Sequence, residues 1–116
     1  PPSWSHQAEA PAATMARLGI DAQRLLVYLG GFQNQLTAAS GEIDAMLARG
    51  EKDASGARIE RLHAGCVTLG LAGAAAGFEA LSGGGAEGGR VHLVLADAVR
   101  SVLAQADGAR ALLAAD

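Results

Sequence analysis

The chain has 116 residues and a net charge of −3, with nine Lys and Arg scattered and never in a run. This excludes the basic stripe that a non-specific nucleic-acid binder needs to displace counterions from phosphates. Half of the residues are apolar but only 3% are aromatic, so the core must be built from Leu, Val, Ile, Met and many Ala. That supply suits closely packed helices and lacks the β-branched and aromatic residues a sheet sandwich wants. Cys66 is the only cysteine, which rules out a disulfide or a thiolate metal site within one chain.

Residues 1–12 hold all three prolines, and Trp4 and His6, and read as a tail or linker joining a larger protein. They lack the basic-then-apolar order of a secretion signal. A short helix is expected over Ala13–Leu18, stopped by Gly19. Asp21 then stands in N-cap position, where its carboxylate accepts unpaired backbone N–H groups. From there Leu25, Leu29, Phe32, Leu36, Ala39, Ile43 and Met46 alternate at spacings of four and three, with Leu26 and Leu47 beside them. This is one face of a long helix ending near Arg49–Gly50. Gly30, Gly31 and Gly41 each weaken it by about 1 kcal/mol relative to Ala, but the stripe runs through them.

Asp53 or Ser55 is the expected cap of the next helix, whose apolar face is Ile59, Leu62, Cys66 and Leu69, with Val67 at its edge and Gly70 as its stop. An Ala-rich segment follows from Ala72 to Leu81, anchored by Phe78 and Leu81. Ser82–Gly89 is glycine-rich and reads as a loop; it lacks the preceding strand and the following Lys-Ser/Thr of a phosphate-binding loop. The last helix is expected over Arg90–Ala114, carrying Val91, Leu95, Ala98, Val99, Val102, Leu103, Ala106, Leu112 and Leu113. The expected fold is all-α, an antiparallel four-helix bundle with a short extra N-terminal helix. Residues 13–116 form that domain. No apolar stretch approaches the roughly 20 residues that span a bilayer, and cytoplasm is the expected location.

The chemistry-bearing residues are sparse. His6, His63 and His92 lie far apart in sequence, and the one Glu-x-x-His, Glu60-Arg61-Leu62-His63, has no second copy to complete a di-metal bundle. No metal and no cofactor are expected. Cys66 follows His63 by three residues, but it falls on the apolar stripe between Leu62 and Leu69, where a cysteine acts as a small hydrophobe.

The middle helices read together carry a resemblance. Phe32, Leu36, Ile43, Leu47, then Gly50-Glu51, then Glu60-Arg61-Leu62-His63-Ala64-Gly65-Cys66-Val67-Thr68-Leu69-Gly70 resemble the histidine-phosphotransfer family. That family has an amphipathic helix with Phe and Leu at these intervals, a Gly-Asp turn, and His-x-Leu-Lys-Gly-x-x-x-x-Leu-Gly. The likeness runs without a gap from Phe32 to Gly70, and more loosely from Ala13 through Phe78 and Leu81, about two thirds of the chain.

Leu62, Leu69 and Gly70 fit, and Glu51 stands for the turn aspartate. The departures are chemical: Glu60 occupies the phospho-acceptor position, His63 the lysine position and Ala64 the glycine position. The resemblance therefore implies a phosphorelay module of bacterial two-component systems. Its partner would be a response-regulator receiver domain or a hybrid sensor kinase, and its docking face Glu60, His63, Ala64 and Val67.

A carboxylate is a weak, already negative nucleophile toward an aspartyl phosphate, so Glu60 implies a domain that docks without accepting phosphate. It acts either as a decoy or as a partial charge mimic of phosphohistidine. In a displaced register His63, one turn on, is itself the acceptor. The readings from other classes are a helical interaction or dimerisation module and, third, an enzyme using a metal or the Cys66–His63 pair.

Overall fold

A computed structural model describes residues 8–82 and 88–115. Five α-helices make up the ordered elements among these residues: α1 Pro11–Leu18, α2 Ala22–Ala48, α3 Lys52–Thr68, α4 Ala72–Ser82 and α5 Gly88–Ala115. The all-α class expected from composition is what the chain adopts, with no strand among the described residues. Trp4, His6 and most of the expected Ser82–Gly89 loop (residues 83–87) lie outside the described residues.

The long stripe of α2 is the backbone of the core. Leu25, Leu29, Phe32, Leu36, Ala39 and Ile43 are all buried, and Met46 is half-buried where the helix runs out. Asp21 caps the helix as expected, its carboxylate accepting from the Arg24 N–H at 2.8 Å. α5 packs most extensively on α2, and α3 on α4, with α2–α3 and α4–α5 contacts linking the two pairs. His92, at the start of α5, reaches Ser40 and Asp44 near the end of α2. At the other end, Gly108 lies against Pro11, so α5 runs back along α2. Among the described residues, no helix is long and apolar enough to cross a membrane.

Several features differ from expectation, among them the start of α5 at Gly88, two residues before the expected Arg90. α1 begins at Pro11, two residues earlier, because a proline in the first helical turn loses no hydrogen bond and brings a suitable φ. Neither Asp53 nor Ser55 caps α3, which starts at Lys52 with Glu51 in the cap position and no side-chain cap bond. The Glu51 carboxylate is instead gripped by Arg49, through Nε at 3.0 Å and a terminal nitrogen at 2.9 Å. Ser55 sits in the core, four residues before Ile59 and on its face. In α5, Leu103 and Leu113 are exposed and Val99 and Leu112 only half-buried. The buried line runs Val91, Leu95, Ala98, Val102, Ala106 and Ala109, with Gln105 beside it.

The turns flanking α3 fix its position. Gly50 and Gly70 both take positive φ, 73° and 74°. After Gly70 the Leu71 N–H reaches back to the Cys66 carbonyl at 2.9 Å, and the Gly70 N–H bonds Val67 at 3.2 Å. This is the paired bonding that closes a helix on a left-handed residue. Close approach decides Gly65: a Cβ there would overlap the Phe32 ring edge and come within 3.1 Å of two further ring carbons. Gly65→Ala is expected to lower stability by about 1–2 kcal/mol, overpacking outweighing the better helix propensity of alanine. Urea unfolding measures this, and pairing it with Phe32→Leu should recover most of the loss.

Candidate functional site

Residues 60, 63, 64 and 67 of one helix project within an arc of roughly 100°. The opposite side of α3 is pinned by Ser55, Ile59, Leu62 and Cys66, all buried. The arc therefore faces out: Glu60 and Ala64 are exposed, His63 is half-buried and Val67 is 54% exposed. All four expected docking residues thus share one accessible strip.

Depressions flank the strip on both sides. Glu60 and Ala64 border a shallow one that extends toward Ala54, Ala57 and Met46 at the end of α2. His63 and Val67 border a groove of about 540 Å³ whose far walls are Glu9, Arg17 and, from α4, Ala75, Ala76 and Glu79.

Glu9 and Arg17 are the contribution that the sequence did not announce. Glu9 donates its backbone N–H to Gly70 at 2.8 Å and accepts from the buried Gln105 amide at 2.7 Å. Its carboxylate takes the Thr14 hydroxyl at 2.7 Å and the Arg17 guanidinium at 2.8 and 3.2 Å. Arg17 also donates to the Thr68 carbonyl at 2.8 Å. The hydrogen bonds from Arg17 and then Thr14 hold the Glu9 carboxyl below its ordinary value, and the same pairing raises Arg17. The segment from Glu9 is thus fastened beside the C-terminal end of the strip. Arg17 belongs to the stretch Ala13–Gly19 where the resemblance is loose; nothing in the local sequence pointed to Glu9.

Cys66 is fully buried, burial alone pushes its thiol up to about 12, and no hydrogen bond joins it to His63. Desolvation of this kind suppresses the thiolate on which nucleophilic or metal chemistry depends. The expected outcome is that Cys66 resists a thiol reagent such as 5,5′-dithiobis(2-nitrobenzoate) in the native protein. It should react fully once urea carries the domain through its unfolding transition. Fast native-state labelling would contradict the burial. Among the described residues no group of three or more His, Cys, Asp or Glu side chains is placed to hold a metal ion.

No protein-family model, no curated protein and no solved structure matches the chain.

Proposed function

We propose that the chain is a histidine-phosphotransfer-like module of a bacterial two-component system. It docks a receiver domain on the outer face of α3 and does not accept phosphate at Glu60. The observation that carries this reading is the register of α3: Leu62 and Leu69 go to the core, and position 60 with its companions 63, 64 and 67 goes to solvent. A docking helix of this family needs that division, with the acceptor position outside and the leucines inside. The pairing of α2 with α5 and α3 with α4 supports the finer architecture, an antiparallel four-helix bundle to which α1 is added. The proposed setting is cytoplasmic, either free-standing or as part of a hybrid sensor kinase.

Phosphoryl transfer depends mainly on positioning and on electrostatic stabilisation of the moving group. At position 60 a carboxylate presents negative charge to a negative phosphate, and its product would be an unstable mixed anhydride. His63 at the lysine position, and Ala64 where the family has no side chain, complete a face shaped for docking and unsuited to transfer. A second reading, transfer through His63, is favoured by one observation: this side chain is only half-buried and borders the open groove beside the strip.

Titration of the domain with receiver domains, unactivated and activated with beryllofluoride, tests docking. Val67→Glu is expected to weaken binding at least about tenfold, the loss of 1.4 kcal/mol or more that follows from placing a charge in the centre of an interface. Leu93→Glu, on α5 and also exposed, should leave binding unchanged. If no receiver binds, the generic helical interaction module remains. If phosphate reaches the domain and His63→Ala abolishes it, the second reading holds.

A further inference from the structure

Away from α3, two side chains of α2 meet a third from the distant α5 on the surface between the two helices. Ser40 Oγ lies 3.1 Å from His92 Nδ1, and His92 Nε2 lies 2.9 and 3.0 Å from the two Asp44 carboxylate oxygens. Ser40 and Asp44 are one helical turn apart on α2, and the imidazole from α5 closes the gap between them. We propose that Ser40, His92 and Asp44 form a base-activated serine that takes acyl groups from activated esters.

Two features separate this cluster from an ordinary surface ion pair. A hydroxyl inside a helix usually turns back to the carbonyl four residues earlier. Thr37 does so to Gln33 at 3.0 Å and Thr68 to Ala64 at 3.0 Å, whereas Ser40 turns to His92. The order of groups also fixes the protons. Asp44 only accepts, so in the neutral imidazole Nε2 carries the hydrogen and Nδ1 offers its lone pair to the serine O–H. A nucleophile, a base and a group orienting the base thus stand within hydrogen-bond reach of one another.

The step follows from that geometry. Ser40 Oγ attacks the ester carbonyl carbon, the bond to the leaving aryloxide breaks, and the serine proton passes through His92 Nδ1 to that oxygen. A water molecule then attacks the acyl-serine with His92 again taking the proton, and the proton returns to Ser40 Oγ as the carboxylic acid departs. The backbone N–H groups around Ser40 are used by the α2 ladder, so the site has no backbone donor to hold a developing oxyanion. This restricts it to esters with a good leaving group.

The test is incubation of the whole domain with p-nitrophenyl acetate, acid quench and peptide mapping of the acetyl group. Acetylation of Ser40 is expected to run roughly 10- to 100-fold faster than in His92→Ala, at or below the lower end of general-base catalysis because the cluster is open to water. Asp44→Asn should slow acetylation of Ser40, and Asp44→Glu should restore part of it. All three side chains lie at the surface, so an unchanged helical circular-dichroism spectrum verifies that the variants are folded. The proposal fails if Ser40 is acetylated no faster in the wild type than in His92→Ala, or if the acetyl group is found only on other residues. It is independent of receiver docking.

Discussion

Replacing Glu60 by His, His63 by Lys and Ala64 by Gly is expected to convert the domain into a phosphoryl acceptor. Each exchange supplies one missing physical part. The imidazole at 60 is a neutral nucleophile on an exposed position. The lysine at 63 puts a cation beside the incoming phosphate, and the glycine at 64 lets a receiver approach the helix backbone. All three positions lie outside the core, so the main structural cost is the glycine, about 1 kcal/mol in a helix interior.

Incubation with a phosphorylated receiver should then place acid-labile phosphate on position 60 of the triple variant and none on the wild type. Glu60→His alone should accept phosphate roughly ten- to hundredfold more slowly, the effect of losing one charge-assisted hydrogen bond worth about 1.5–3 kcal/mol. Binding of the triple variant with no transfer would show that position 60 is not where a receiver presents its aspartyl phosphate.

Phe78→Ala is expected to lower unfolding free energy by about 3–5 kcal/mol, the usual cost of emptying a fully buried aromatic site. The reason is specific to this composition. The chain has two phenylalanines, and both are in the core. α4 is short and made largely of Ala and Gly, so Phe78 and Leu81 supply most of the large apolar surface by which it holds to α3 and α5. A domain of this size has only about 5–15 kcal/mol of stability, so the variant should approach the threshold of folding at 37 °C. A midpoint shift in urea corresponding to less than 1 kcal/mol would mean that α4 is held mainly by its small residues.

Which parts were legible in the sequence follows from the range of the interactions involved. The α2 stripe and the Ile59–Leu62–Cys66–Leu69 face were readable because helical periodicity is local, and the structure buries both. The outer face at residues 60, 63, 64 and 67 came from the resemblance instead, and the structure leaves Glu60, Ala64 and Val67 exposed and His63 half-buried. Periodicity failed in α5, where Leu103 and Leu113 read as core but are exposed, while Gln105, beside the buried line, is buried. That polar side chain is buried because the Glu9 carbonyl, 96 residues earlier, takes its amide proton, a pairing that no local pattern announces. The start of α3 was misread for a different reason. Asp53 and Ser55 have capping chemistry, but the Gly50 turn had already delivered the chain into the helix at Lys52. The Ser40–His92–Asp44 cluster pairs side chains 52 and 48 residues apart and became visible only when α5 was laid along α2.

The most direct test of the docking account is a single magnetic-resonance experiment on isotopically labelled domain mixed with a phosphorylated receiver, following backbone shifts and the phosphorus signal together. The account predicts perturbations concentrated at Glu60, His63, Ala64 and Val67, while phosphorus stays on the receiver as aspartyl phosphate or is released to water. A phosphoramidate signal on the wild-type domain, or shifts that avoid the outer face of α3, would contradict it.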